Sequence, residues 1–300
     1  MRISNHQNSA IMLDSLNRNA VGLSEMMQKM SSSKRILTPS DDPIASVRLL
    51  RIQRTEASLN QYEKNITNVS GNLSIQEANL TSTSDTMLQI HDLLLWAANG
   101  SNTAEDLNAM SGELSSLEDT ILSFLNVRDE EGRYLFSGTM TDTKAVEFDG
   151  TEYSFAGNDK TRQAAVANGV MVEENIAISS VFDIDFLNNL HALVGTLQDE
   201  NLDVTDPATG QAIRDVINQL DVTHGNILSS ITELGGRQNT LKLLNTSNED
   251  VSLVNQKIEG DLSELDYAGA TIDLQNYKLA LQATQKTYLT VNDLSLFKLL

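Results

Sequence analysis

Apolar residues recur along this chain at alternating spacings of three and four, and the alternation restarts several times. Leu13, Leu16, Ala20, Leu23, Met27 and Met30 form the first run, the heptad seam of a helix that pairs with another helix. Asn5 to Ser9 before it are polar and poor helix formers, expected to be helical only when docked. The second run is far longer. Leu59, Tyr62, Ile66, Val69, Leu73, Gln76, Leu80, Thr83, Met87, Ile90, Leu94 and Ala97 keep the spacing without a break. Counted from Pro43, the helix spans roughly 80 Å at 1.5 Å per residue, which makes it a strut rather than part of a compact globule. Gln76 and Thr83 are polar seam positions of the kind that fix register at some cost in stability. Asn99-Gly100 marks a turn. Leu107, Met110, Leu114, Leu117, Ile121 and Phe124 then carry a third helix back antiparallel.

From Gly132 the period changes. Tyr134 to Phe136 is a short β-prone run. Ala145 to Phe148, Asp149-Gly150 and Thr151 to Phe155 read as a hairpin, with alternating residues on either side of an Asp-Gly turn. Ala164 to Ala167 and Val170 to Ile178 are further candidate strands. A loop over Asp199 to Gly210, containing Pro207, bounds this insert. The helical period returns with Ile213, Ile217, Leu220, His224, Ile227, Ile231, Leu234, Gln238 and Leu241. Gly235-Gly236 inside it predicts a bend or break, or else the close approach of another helix. Leu274, Tyr277, Leu281, Thr284, Tyr288 and Val291 form the last seam. Leu294, Leu296, Phe297, Leu299 and Leu300 close the chain, and an end this apolar is expected to be buried against a partner helix or neighbouring subunits.

Between the first two helices lies Ser31 to Arg54. Pro39 keeps Thr38 out of the helical region. Asp42 offers a side-chain oxygen to free amides of the next helix, and Pro43 suits its first position, where a missing N–H costs nothing. Asp41 and Asp42 both lie near the positive end of that helix. This stretch reads as a joint between two helical layers, with Pro39, Asp41, Asp42 and Pro43 as its defining residues.

Composition narrows the function. Only 5% of residues are aromatic, and Trp96 is the single tryptophan, which suits elongated helices with narrow seams. Cysteine is absent, which excludes disulfides and thiolate chemistry. The net charge of −20 argues against nucleic acid and anionic membranes as partners. Asp129 to Asp206 contain 16 acidic and 4 basic side chains, and read as a solvated outer surface. The near-neutral N-terminal region is where chains can pack together. No apolar run approaches the roughly 18 residues of a membrane span, and the N-terminal residues lack the apolar core of a secretory signal. His6, His91, His191 and His224 have no metal-ligand spacing, and no nucleotide or zinc motif is present. Nothing nominates a catalytic residue, a metal or a cofactor, and the chain is read as a non-enzyme.

The fold class expected is mainly α with a small β-rich insert: a long antiparallel helical bundle or coiled coil formed by both chain ends. The domains expected are a terminal coiled coil (1–40 and 266–300), a long helical bundle (41–132 and 207–265) and a β-rich acidic outer insert (133–206). Leu13, Leu16, Leu23, Met27, Met30, Leu281, Tyr288, Val291 and Phe297 are the expected assembly interface.

Several separated motifs resemble the bacterial flagellin superfamily. They are Met30-Ser-Ser-Ser-Lys-Arg-Ile36 with Pro39-Ser-Asp-Asp-Pro43, Gly132-Arg-Tyr-Leu-Phe-Ser-Gly138, Glu233-Leu-Gly-Gly-Arg-Gln-Asn-Thr-Leu241 and Leu294-Ser-Leu-Phe297. Flagellins proper usually show Ala-Ala-Gly after the Asp-Asp pair. Pro43-Ile44-Ala45 stands here instead, which favours the hook-associated branch of the superfamily. Ile231 stands where relatives often carry Arg, so no polar contact is carried over there. The resemblance implies flagellin-like layered domains and a structural subunit without chemistry. It implies type III export with no cleaved signal peptide, and a cytoplasmic chaperone at the C-terminal helix. It places the protein outside the cell, in a layer between the first hook-associated protein and flagellin, assembled with copies of itself. Flagellin itself and another type III-exported coiled-coil protein are the alternatives.

Overall fold

The computed structural model describes residues 2–199, 202–204 and 206–297, with the backbone only for 2–6, 8 and 291–297. Its elements are α1 (Arg2–Ser32), α2 (Pro43–Ala97), α3 (Ala104–Leu125), β1 (Val146–Phe148), β2 (Tyr153–Phe155), β3 (Gln163–Ala167), β4 (Val170–Glu173), α4 (Ile184–Leu197), α5 (Pro207–Ser263) and α6 (Tyr267–Phe297), with a 3-10 turn at Ile178–Ser180. The chain forms two compact units, Leu59–Glu249 and Met1–Ser58 with Asp250–Leu300. The division falls inside α2 and α5.

The Leu59–Glu249 unit contains the large core. Ile66, Val69, Leu73, Gln76, Leu80, Thr83, Met87, Ile90, Leu94 and Ala97 of α2 are buried, as the unbroken heptad predicts. Gln76 finds partners for both ends of its amide: its Oε1 accepts from the Ile176 amide at 2.8 Å, and its Nε2 donates to the Glu174 carbonyl at 3.2 Å. A satisfied polar group at a seam tolerates only one register. α5 runs antiparallel to α2, with His224 Nε2 2.8 Å from Ser84 Oγ and Gln238 donating to Glu77 at 2.7 Å. α5 continues as one helix through Gly235 and Gly236, and a Cβ added at either would meet nothing within 4 Å. Neither a break nor a close helix approach explains them.

The insert differs from a purely β-rich segment. β1–β2 and β3–β4 are separate two-stranded antiparallel hairpins. The first pairs Phe148 with Tyr153, so four residues turn the corner instead of two. Asp149 organises them by accepting from Thr151 and Glu152 amides at 2.8 and 2.9 Å. Tyr134 to Phe136 is buried but is not a strand, since its backbone bonds singly to Thr141 and Val127. Gly138 beside it has φ +72°, and a Cβ there would fall 2.3 Å from the Asn158 carbonyl. Val170 to Ile178 is a strand only as far as Glu173.

α4 was not expected within the insert. Phe186, Leu187, Leu190, Leu193, Val194 and Leu197 form an amphipathic helical stripe, and Asp183 caps the helix. α4 packs antiparallel on α3, where Glu118 is buried. Its Oε1 accepts from the Tyr153 hydroxyl at 2.6 Å and lies 2.9 Å from His191 Nδ1. Burial, and then the neighbouring Glu118 carboxylate, push the Tyr153 hydroxyl well above the usual phenol range. Pro207 opens α5 instead of lying in a loop, with Asp206 accepting from the Ala208 amide at 2.9 Å.

Candidate assembly interface

In the unit formed by Met1–Ser58 and Asp250–Leu300, α1 packs against α6. The pair is antiparallel: the Tyr267 hydroxyl donates to the Met30 carbonyl at 3.0 Å, while Gly22 faces Tyr277 further along. A Cβ on Gly22 would lie 2.6 Å from Tyr277 Cε1, so the glycine gives the ring its seat. α1 already includes Asn5 to Ser9. Once a helix is nucleated downstream, propagation carries it through residues of poor propensity.

The expected seam residues separate into two groups. On α6, Leu274, Tyr277, Leu281, Thr284 and Tyr288 are half-buried, as their spacing predicts. On α1, Leu16, Leu23 and Met30 are half-buried, but Leu13 and Met27 are each 52% exposed. The side of α1 that meets α6 includes Met12, Ser15, Asn19, Gly22 and Met26. Met12, Leu16, Asn19, Leu23, Met26 and Met30 form one mainly apolar column. Leu13, Leu16, Ala20, Leu23, Met27 and Met30 form another that overlaps it one residue round. Gly22 seats Tyr277 beside the first, and Leu13 and Met27 of the second remain outside, as do Ile11 and Val21. Val291 and Phe297 lie on α6, but their side chains, with those of Leu294 and Leu296, fall outside the described residues, as do Leu299 and Leu300.

This unit has almost no interior. Among its described residues only Ala45, Ser46 and Ala270 are buried. Ile272, Leu279 and Leu289 of α6 and Leu253 and Val254 of α5 face outward. A single layer of paired helices cannot cover apolar residues on both of its sides.

The connection between α1 and α2 is built by hydrogen bonds. Ser33 ends α1 with φ +59°, a left-handed conformation uncommon outside glycine. Its carbonyl accepts from the Leu265 amide at 3.2 Å, and its hydroxyl lies 2.6 Å from the Tyr267 hydroxyl. Arg35 donates its amide to Ser263 (2.8 Å) and its guanidinium to the Leu262 carbonyl (3.1 Å). The α1–α2 connection is thereby tied to the α5–α6 connection more than two hundred residues away. Pro39 occupies the second position of a turn closed by the Asp41 amide on the Thr38 carbonyl at 3.0 Å. Asp42 caps α2 by accepting from the Ala45 amide at 3.0 Å, with Pro43 as the first helical residue. Asp41 has a different task from the one expected. Its carboxylate accepts from the Leu37 and Thr38 amides (2.8 and 3.0 Å) and the Thr38 hydroxyl (3.0 Å), shaping the loop instead of the helix end. Those bonds, that from Thr38 foremost, hold it below the usual carboxylate range.

No group of three or more His, Asp or Glu side chains is placed to hold a metal ion among the described residues. No described helix is long and apolar enough to cross a membrane.

Comparison with known proteins fits this architecture. The family profile described as the bacterial flagellin N-terminal helical region matches residues 3–141. The chain is 26% identical to flagellar hook-associated protein 3 of Escherichia coli K12, over 91% of both chains. It is 24% identical to the flagellin of Bacillus subtilis 168, over 92% of this chain and 98% of that one. A solved structure described as a flagellar hook-associated protein of Vibrio parahaemolyticus is 37% identical. It superposes with a TM-score of 0.69, covering 75% of this chain and all of the other. The flagellar junction protein FlgL of Legionella pneumophila shares the fold, with a TM-score of 0.61 at 15% identity over 72% of this chain and all of that one. The chain belongs to the flagellar hook-associated proteins and carries the bacterial flagellin N-terminal helical region over residues 3–141.

Proposed function

We infer that this protein is a structural subunit of the bacterial flagellum. It forms the junction layer between the first hook-associated protein at the hook and the flagellin filament, by self-assembly of its terminal helices. The observation that carries this reading is the contrast between the two units. Leu59–Glu249 has a closed core of its own, whereas the terminal unit leaves apolar side chains exposed on α1, α5 and α6. A helical layer with so little interior is completed by neighbours. Leu13 and Met27 serve contacts between subunits. Leu16, Leu23, Met30, Leu281 and Tyr288 hold the α1–α6 pair that presents them, and Val291 and Phe297 of the apolar C-terminal sequence are assigned to the same interface. Pro39, Asp41, Asp42 and Pro43 act as the joint between layers.

The role is mechanical. A layer between a bending hook and a stiff filament must match both lattices and hold under torque. Long seams resist shear because many contacts must break together. The subunit leaves the cell through the type III apparatus, with a cytoplasmic chaperone covering its C-terminal helix until export. The exposed apolar faces of α1 and α6 support the need for a cover, and a cysteine-free chain cannot cross-link while unfolded.

Deleting the gene tests the reading. The expected result is complete hooks without filaments by electron microscopy, with flagellin shed into the medium. Filaments still growing on the hooks would overturn it in favour of a redundant filament subunit.

A further inference from the structure

The first turns of α2 present a face that no described residue covers. Ala45, Leu49, Ile52 and Glu56 form its inner side, where Glu56 accepts from Ser252 (2.7 Å) and Asn255 (2.8 Å). At about 100° per residue, Val47, Arg51 and Arg54 lie on the opposite side with Ile44 beside them and Arg48 at the edge of the face, all exposed. Ile44 is 72% and Val47 59% exposed. Among the described residues the three guanidinium groups have no partner. Every other arginine whose side chain is described is engaged by an oxygen of the chain itself. Three adjacent free arginines are an anomaly in a chain of net charge −20. Guanidinium groups bind carboxylates through paired N–H donors, and the apolar residues beside them supply area to bury. The face therefore fits a surface that carries carboxylates.

The chain itself has such a surface. In the β1–β2 hairpin Glu147 lies opposite Ser154, and Phe148 opposite Tyr153. Strand alternation puts Glu147 on the face away from Phe148 and Tyr153, and Glu152 lies in the turn that joins the two strands. Both are exposed, and neither carboxylate has a partner among the described residues. Two copies that each carry −20 repel unless a basic face meets an acidic one. We propose that a second copy of this chain docks the outer face of its β1–β2 hairpin on the Ile44–Arg54 face of α2, with Glu147 and Glu152 accepting from Arg48, Arg51 and Arg54. The contact rests on the reading of the chain as a self-assembling subunit. It makes that assembly directional, because the two patches are different surfaces and successive copies add head to tail.

The absence of cysteine makes the test clean. Purified full-length Ile44→Cys and Thr151→Cys chains are mixed and oxidised, and the disulfide-linked pair is quantified. Ile44→Cys mixed with a Gln89→Cys chain is the control. The link is expected about tenfold above control. Adding Arg48→Glu, Arg51→Glu and Arg54→Glu to the Ile44→Cys chain should reduce it to the control level. Adding Glu147→Arg and Glu152→Arg to the Thr151→Cys chain should restore it. All these positions are exposed, and circular dichroism checks that each variant is folded. A link no stronger than control, one indifferent to charge reversal, or one that the reciprocal reversal fails to restore overturns the proposal. Missing filaments in the deletion strain together with no cross-link would remove this contact and leave the subunit role standing.

Discussion

Two neighbouring aspartates in the joint perform distinct work, and substitution separates them. Asp42 accepts from the Ala45 amide in the first turn of α2, so Asp42→Ala is expected to cost about 1 kcal/mol, read as a lowered urea midpoint. Asp41 holds the Leu37 and Thr38 amides, and its carboxylate titrates below its ordinary value. A folded-state pKa below the unfolded one contributes stability above the unfolded value, and that contribution is lost as pH falls through the folded value. Amide exchange at Leu37 and Thr38 is therefore expected to accelerate only as pH falls below about 4. Asp41→Asn should exchange fast throughout and lose that dependence. Exchange in the wild type that ignores pH, after correction for intrinsic rates, would refute this role.

At the scale of elements, both long helices open with the same device. Asp42-Pro43 starts α2 and Asp206-Pro207 starts α5: an acceptor for free amides, then a residue that lacks an N–H to satisfy. The seams then carry the helices through unfavourable residues. Gly235 and Gly236 lie in α5 with open space where a Cβ would be. Gly235→Ala and Gly236→Ala should each stabilise the isolated chain by about 0.5–1 kcal/mol, seen as a higher melting temperature. Destabilisation by either would reveal a contact at that site. In α4, Leu190 is fully buried, and Leu190→Ala should cost about 2–5 kcal/mol through lost burial and the cavity left behind. Equilibrium unfolding measures it, and a negligible loss would mean that α4 is only loosely docked.

For the molecule as a whole, the division between closed and open packing governs what a substitution does. Leu23→Asp and Tyr288→Asp each put a charge into the half-buried α1–α6 pair, and are expected to abolish assembly while expression persists. Leu279 is 63% exposed, so Leu279→Asp should leave the unfolding transition unchanged and still block filament attachment. Sedimentation of the purified chain and filament counts on complemented cells provide the two readouts. Wild-type filament counts with all three variants would remove the case for the terminal helices as the assembly surface.

The heptads, the joint and the hook-associated signature are local patterns, so they can be read directly from the order of residues. The α2 seam from Ile66 to Ala97, the Asp42-Pro43 start and the Tyr277 to Tyr288 column are where periodicity and capping put them. The stripe of α4 is equally local, but the run of strand signals that precedes it implies one β segment. What no local pattern contains is the choice between equivalent alternatives. Either apolar column of α1 satisfies a heptad, and only the seat for Tyr277 at Gly22 decides which turns inward. Asp41 and Asp42 are interchangeable as caps by type, and the fold of the Leu37–Thr38 loop assigns their roles. The pairing of the two connections through Ser33, Arg35, Ser263 and Leu265 joins residues far apart in sequence. Periodicity records which faces are apolar, whereas the side chain that fills a given gap depends on distant residues arriving together, which is settled only when the chain packs.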